Sequence, residues 1–293
     1  MLDQSLSLSL RARMAMQSAQ FQTSHALGQN FILNEELLSR LLDEADVRED
    51  DVVLEIGPGC GVMTALLSAR CRRVYAFEID GRLQPVLESV LSGCENARVQ
   101  YVDFMKVRLD AWLSENVPDH RYRVVANLPY YITTDLIAKL ITHAHRPDSI
   151  AVMVQREAAD RLLSHPGEKN WCAIAALLQT YGTGEILEEI PSSAFEPEPH
   201  VESCFIQMER KPLDLELLDA GMLYAVIRSA FAMRRKKFTN NLKQRFPLSQ
   251  EEAVSVLREA GVDENVRGEA LPIDALVRVS NAITTRLNER KLG

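Results

Sequence analysis

The stretch Asp51-Val52-Val53-Leu54-Glu55-Ile56-Gly57-Pro58-Gly59-Cys60-Gly61 decides the fold. Its first half is a near-continuous apolar run, which reads as a buried strand. Val62 through Ala69 continues as a helix. Strand, glycine loop and helix in that order make such a loop informative, because glycines admit a ligand where a Cβ would intervene. The pattern is GxGxG, with Val62 where a third fingerprint glycine would fall, and the Lys-Ser/Thr pair of a phosphate loop is missing. That counts against a dinucleotide and against a nucleoside triphosphate. Glu55 at the strand end would repel a pyrophosphate and suit a cationic ligand. A tight turn without a ligand is the alternative reading of the same glycines.

Moving outward, Arg73-Val74-Tyr75-Ala76-Phe77-Glu78-Ile79-Asp80 is a second strand. Glu78 lies about twenty residues past the glycines, where an acid can accept both hydroxyls of a ribose, with Asp80 as the fallback. Residues 82–91 read as a helix. Ala97 through Val102 is a third strand, and Asp103 follows it. Asp103 reads equally well as a contact at the far end of a nucleoside and as a helix N-cap. A fourth strand, Tyr122 through Ala126, leads to Asn127-Leu128-Pro129-Tyr130-Tyr131. Four successive strands thus end in polar or glycine-rich groups, and in an open α/β sheet that edge binds ligands. An amide, a rigid proline and an aromatic ring together suit a flat base carrying an exocyclic amine, with the ring stacked on Tyr130. Turn chemistry explains Asn127 and Pro129 but not the paired tyrosines.

Upstream, Gln29 and Asn30 in His25-Ala26-Leu27-Gly28-Gln29-Asn30-Phe31-Ile32 read as a turn before a helix capped by Asn34. Residues 1–24 read as a frayed N-terminal extension without a secretory core. Downstream, Ser149 through Val154 is a fifth strand and residues 155–163 a helix. Residues 185–190 and 203–208 are two closing strands. Between them, alternating prolines in Phe195-Glu196-Pro197-Glu198-Pro199 stiffen a loop. Phe195 is there either a core plug or a second stacking face opposite Tyr130.

Past Lys211-Pro212 no strand signal remains, and residues 214–232, 233–246, 249–260 and 272–290 read as helices. Arg234, Arg235, Lys236, Lys237, Lys243 and Arg245 form a single-signed basic run interleaved with Phe238 and two asparagines. Inside a chain of formal net charge −8, a local basic face of this kind reads as nucleic-acid contact. At 293 residues, 46% hydrophobic and 25% charged, the chain is of the soluble globular class. Five scattered cysteines without CxxC spacing point to reduced thiols in the cytoplasm, and the six histidines show no metal-ligand pattern. No membrane contact is expected.

Taken in order, these segments resemble the ribosomal RNA adenine-N6 dimethyltransferases that act on the small-subunit RNA. The resemblance runs through Leu27-Gly28-Gln29-Asn30-Phe31, Glu55 to Gly61, Glu78-Ile79-Asp80, Asn127 to Thr133, Phe195 with Pro197 and Pro199, the segment from Phe231 through Arg234-Arg235-Lys236, Asn240-Asn241-Leu242, and Arg267 with Glu269. It implies an α/β fold: a Rossmann-like S-adenosylmethionine-dependent methyltransferase sheet with a smaller all-α C-terminal domain. The implied boundaries are an extension at 1–24, a catalytic domain at 25–210 and a helical RNA-engaging domain at 211–293. The donor S-adenosylmethionine, leaving S-adenosylhomocysteine without a metal, would meet Gln29, Asn30, Ile32, Glu55, Gly57, Gly59, Gly61, Glu78, Ile79, Asp103, Phe104 and Asn127. Within that set Gly57 approaches the methionine part, Glu78 the ribose and Asp103 the adenine amine. Asn127 and the Leu128 carbonyl would accept hydrogen bonds from the target amine, Pro129 stiffens the turn, and Tyr130 with Phe195 would stack the base. The implied partner is small-subunit ribosomal RNA in a pre-ribosomal 30S particle, met by a cytoplasmic monomer.

The departures are Val102 for a usual glycine, Asn170-Trp171-Cys172 for a usual Tyr-Gly, His200 for lysine and Glu202 for aspartate. The competing expectations are an adenine methyltransferase of large-subunit RNA, one of DNA, and a non-catalytic nucleic-acid-binding factor on the same fold. A nicotinamide-dependent dehydrogenase is disfavoured by Val62.

Overall fold

Apolar runs of five to seven residues alternate with helical segments through the first half of the chain, and the computed structural model folds them as an α/β sheet. It describes residues 5–212 and 216–292. The helix start expected at 214 and the first four residues of the expected extension lie outside that range. The strands among the described residues are β1 (Phe31–Ile32), β2 (Val52–Ile56), β3 (Arg73–Glu78), β4 (Ala97–Tyr101), β5 (Arg123–Asn127), β6 (Ser149–Gln155), β7 (Gly182–Ile190), β8 (Phe195–Glu196) and β9 (Ser203–Arg210).

Seven of them form one sheet in the order β4-β3-β2-β5-β6-β9-β7. β2 pairs in parallel with both β3 and β5, so the strand order reverses between β2 and β5. The crevice outside the carboxyl ends at such a reversal is where open α/β sheets hold ligands. β2 is buried along its whole length, as its uninterrupted apolar run requires. β9 returns antiparallel to β6, from Ser149 opposite Glu209 to Gln155 opposite Ser203.

Two features differ from the sequence reading. A two-stranded ladder joins β1 to β8, with Ile32 opposite Phe195. Two-residue strands lie below the length at which periodicity speaks. The other is the N-terminal extension, which is not frayed over its described part. Leu8–Ser18 is a helix capped by the Ser7 side chain. Ala12 and Ala15 are buried against the helix Gln84–Val90. The Arg11 guanidinium, 7% exposed, donates to the carbonyls of Ser89, Val90 and Ser92, at 2.7 Å to Val90. Those carbonyls, at and just past the helix end, are acceptors with no partner inside the helix. Arg11 therefore fastens the segment.

The chain divides into two compact units. The first comprises Met1–Ala159 and Gly184–Arg210 and carries the sheet. The second comprises Asp160–Thr183 and Lys211–Gly293, so residues 160–183 group with the C-terminal helices. Its helices include Ala173–Gln179, Ala220–Ala232, Phe238–Arg245, Gln250–Glu259 and Ile273–Leu292. Trp171, a departure from the family pattern, is 2% exposed and packs edge-on against Phe231 with ring centroids 5.7 Å apart. It is a core residue of this unit.

The second unit also supplies a close backbone approach. A Cβ at Gly268 would lie 2.6 Å from the Ala230 Cα and 2.7 Å from its carbonyl oxygen. Backbone atoms inside a packed helix cannot step aside as a side chain can. Gly268→Ala is expected to destabilise the protein by about 2–3 kcal/mol, read from urea midpoints at constant slope. A midpoint unchanged from wild type would show that the approach is not tight.

Candidate active site

The three parallel strands β2, β3 and β4 and their neighbour β5 each deliver a short polar or glycine segment to the same edge. Together with residues 27–31 these segments line one pocket, with about 970 Å³ of empty space including its open mouth. Gln29, Asn30, Gly57, Gly59, Glu78, Ile79, Asp103, Phe104, Asn127, Leu128, Pro129 and Tyr130 all line it. Leu27, Gly28, Phe31, Phe77, Met105 and Tyr131, none of them assigned a contact in the reading of the sequence, line it as well. They are wall residues, and nothing local in the sequence distinguishes a wall from a core.

The glycine loop takes the left-handed backbone that only glycine adopts without strain, with φ of +75° at Gly57 and +55° at Gly59. A Cβ at Gly59 would stand 2.7 Å from the Phe31 ring. The Gly59 N–H donates to one oxygen of Glu78 at 3.2 Å, and the Asp80 N–H to the other at 2.8 Å. Glu78 is 4% exposed, and this burial holds its carboxyl above the usual range, although the backbone donors offset part of the rise. Asp80 is otherwise engaged. It takes both Nε and Nη2 of Arg82 at 2.8 and 2.6 Å and the Gln29 amide at 2.8 Å, and the bond to Arg82 chiefly keeps its carboxyl below the usual range. Of the two acids at the carboxyl end of β3, Glu78 lines the pocket and Asp80 braces it.

The two readings of Asp103 coexist. Its side chain caps the turn Phe104–Lys106 by accepting from the Met105 N–H at 2.9 Å, and it also lines the pocket.

At the end of β5, the Asn127 Nδ2 donates to the Asn30 carbonyl at 2.8 Å. Only the amide nitrogen can donate to a carbonyl, so this bond orients the side chain and leaves Oδ1 as the acceptor. The Leu128 N–H is taken by Met153 at 3.2 Å. Pro129 opens a single turn, Tyr130–Ile132, and the Tyr130 hydroxyl is 2.7 Å from the Ser203 hydroxyl on β9. The ring of Tyr130 is thereby held at its far end. Ser203 carried no signal in the sequence, because a buried serine in a strand has many ordinary roles.

Four residues expected at the site lie outside this pocket. Phe195 is 2% exposed and belongs to the main hydrophobic core, because β8 pairs its position with Ile32. The core-plug reading of Phe195 therefore describes its place, and no stacking face is presented. Ile32, its partner, is likewise core at 5% exposure. Gly61 caps the helix Val62–Ser68, and a Cβ there would be 2.9 Å from Leu87, so its role is helix packing. Glu55 is fully buried and lines a smaller cavity that shares Phe31, Gly57, Gly59 and Asn127 with the main one.

In the second unit, the basic run does not start a helix as expected. Residues 234–237 form a turn, and the helix begins at Phe238, whose side chain is fully buried and whose N–H is taken by Val266 at 2.8 Å. Phe238 and Asn241 therefore face inward and do not interleave the charges on the surface. Arg234 pairs with Glu269, Lys237 donates to Asn265 and Lys243 to Gln250. Arg235, Lys236 and Arg245 are exposed without an ion-pair partner among the described residues.

Among the described residues there is no cluster of three metal-ligating side chains and no helix long and apolar enough to cross a membrane.

Comparison with known proteins joins these observations. Residues 20–285 match the model of the family described as ribosomal RNA adenine dimethylase. A ribosomal RNA small subunit methyltransferase A of Geobacillus kaustophilus is 39% identical over 268 residues, covering 90% of this chain and 92% of that protein. A protein of the same description from Listeria monocytogenes is 36% identical, with 90% and 92% covered. Among solved structures, a dimethyladenosine transferase from Plasmodium falciparum superposes with a TM-score of 0.69 at 20% identity, covering 88% of this chain and 97% of its own. The 23S rRNA methyltransferase ErmE does so with 0.64 at 24% identity, covering 87% and 100%. These two share the fold, with its α/β sheet and C-terminal helices. The family match runs through the glycine loop, the Asn127 turn and most of the second unit, and the chain belongs to the ribosomal RNA adenine dimethylase family.

Proposed function

We propose that the chain transfers two methyl groups from S-adenosylmethionine to N6 of adenosines in small-subunit (16S) ribosomal RNA, during assembly of the subunit. The observation that carries this reading is the Asn127 amide, tied through Nδ2 to Asn30 and lining the same pocket as Gly57, Gly59 and Glu78.

The residues present fit the donor. Glu78, with both oxygens facing backbone donors at one wall, is placed to take ribose hydroxyls. Asp103 stands one strand further along, as the adenine amine requires. Gly57 offers open backbone to the methionine part. When bound, the donor supplies an activated sulfonium methyl, and what the protein must add is alignment. Asn127 Oδ1 and the Leu128 carbonyl accept the two N–H groups of the target amine, which aims its lone pair along the transfer line. The Tyr130 ring, fixed through its hydroxyl to Ser203, stacks on the target base. After transfer the nitrogen gives up its extra proton to water. The monomethyl product keeps one N–H for the same acceptors, so a second round needs only room for the first methyl.

Arg235, Lys236 and Arg245 are read as phosphate contacts of the second unit, supplying the sequence-independent part of RNA affinity. We read the enzyme as cytoplasmic, in keeping with five scattered free cysteines and a ribosomal RNA substrate, and as a monomer acting on a pre-ribosomal 30S particle.

Incorporation of labelled methyl from S-adenosylmethionine tests the reading. Under-methylated small subunits should accept two methyls on each modified adenosine, while naked RNA and DNA accept little. Label on large-subunit RNA or on DNA, or a product that stops at one methyl, would overturn it.

A further inference from the structure

Lys139 sits in the helix Thr133–Thr142, which follows directly on the Asn127 to Tyr130 turn. Its ammonium donates to three backbone carbonyls, those of Phe104 at 2.7 Å, Met105 at 2.8 Å and Val107 at 2.7 Å. An ammonium has three N–H donors, and all three are spent on one turn. It also lies 5.2 Å from the centroid of the Phe104 ring. That turn, Phe104–Lys106, is held at its front end by the Asp103 side chain and closed by the bonds Lys106 N–H to Asp103 and Val107 N–H to Phe104. Asp103, Phe104 and Met105 all line the pocket. A charged hydrogen bond is worth about twice a neutral one, and here three come from a side chain that does not itself line the pocket.

We infer that Lys139 is a positioning residue of the donor site: it locks the turn that presents Asp103 and Phe104 to the donor's adenine, and joins that turn to the helix following the target-base clamp. The inference rests on the reading of the pocket as the S-adenosylmethionine site. Its consequence is selectivity for the purine. A carboxylate discriminates an exocyclic amine from a carbonyl only while its oxygens stay in place, so a loosened turn loses the distinction before it loses binding altogether.

The test compares binding of S-adenosylhomocysteine with that of its deaminated counterpart, in which the purine amine is a carbonyl, by calorimetry. Wild type should prefer the amine. Lys139→Met, similar in length but without charge or donors, should weaken S-adenosylhomocysteine binding roughly tenfold, the worth of one hydrogen bond to a charged group, and bring the two compounds to nearly equal affinity. Lys139→Arg, which keeps charge and several donors, should retain most of the preference. Should the methionine variant not fold, Lys139→Gln carries the same comparison. Two results would overturn the inference while leaving the pocket's assignment standing: wild-type affinity and preference in the neutral variants, or equal weakening of both compounds, which marks a merely structural lysine. Wild-type protein that binds neither compound would overturn the assignment of the pocket and the inference with it.

Discussion

Asn127→Ala is expected to slow methyl transfer at saturating donor by roughly 10²-fold or more, with donor affinity changed less than about threefold. The alanine removes two things at once. It removes Oδ1, the acceptor that would hold the target amine, and it releases the Asn30 carbonyl, which Nδ2 now engages at 2.8 Å. The first loss acts on the target in flight and so falls on the transfer step. The second touches residues 27–31, one wall of the pocket, and so sets a small cost in donor binding. Asn127→Asp separates them. It keeps an acceptor for the amine, loses the anchor, and sets a carboxylate against the Asn30 carbonyl, so its rate should fall between wild type and alanine. Single-turnover methylation beside calorimetry of the donor gives both numbers. If Asn127→Ala costs transfer and donor binding in equal measure, Asn127 is part of the wall and not of the clamp.

How far the sequence speaks depends on the span of the contact that decides each residue. The strand at 52–56, the glycine loop and the turn at Asn127 are local patterns. Apolar runs, glycines and a proline within a few positions dictate them, and they fall where the periodicity puts them. The crevice follows from the strand order, because four strand ends at one sheet edge share one pocket whatever the loops do. Phe195 is decided by a partner more than 160 positions away. The sequence left open whether that ring plugs or stacks, and only the pairing of β8 with β1 puts it in the core. The glycines show the same limit: Gly57 and Gly61 look alike in GxGxG, yet one lines the pocket and the other makes room for Leu87. Arg11 and Lys139 received no reading of their own, since a basic side chain that satisfies helix or turn carbonyls has no marker in its neighbours. The basic run at 234–245 was visible as charge, but the buried Phe238 and Asn241 show that interleaving along a chain is not interleaving on a surface.

Glu55 carries the second large effect, and it is one of stability against pH. Its carboxyl is fully buried, and neither oxygen has a hydrogen-bond partner among the described residues. Burial pushes its pKa from 4.5 up to about 8; the nearby Thr64 hydroxyl, outside hydrogen-bond geometry, offsets only part of the rise, and the charge of Glu78 adds to it. Below pH 4.5 the group is protonated in the folded and unfolded chain alike. Between 4.5 and about 8 the folded protein keeps a proton that the unfolded chain gives up, so stability falls as pH rises. The slope is about 1.4 kcal/mol per pH unit, and the full loss, on the order of 5 kcal/mol, is reached once the pH has passed the folded value. Glu55→Gln keeps the shape and cannot ionise. Its stability relative to wild type should therefore rise by several kcal/mol between pH 5 and pH 9, as measured by urea unfolding at both ends of that range. Glu78, also held above the usual carboxylate range, slopes the same way in both proteins, so only its coupling to Glu55 enters the difference. A difference that stays flat with pH would mean that Glu55 is solvated or paired in solution. At neutral pH the expected state is an uncharged acid in a cavity that shares Gly57, Gly59 and Asn127 with the main pocket.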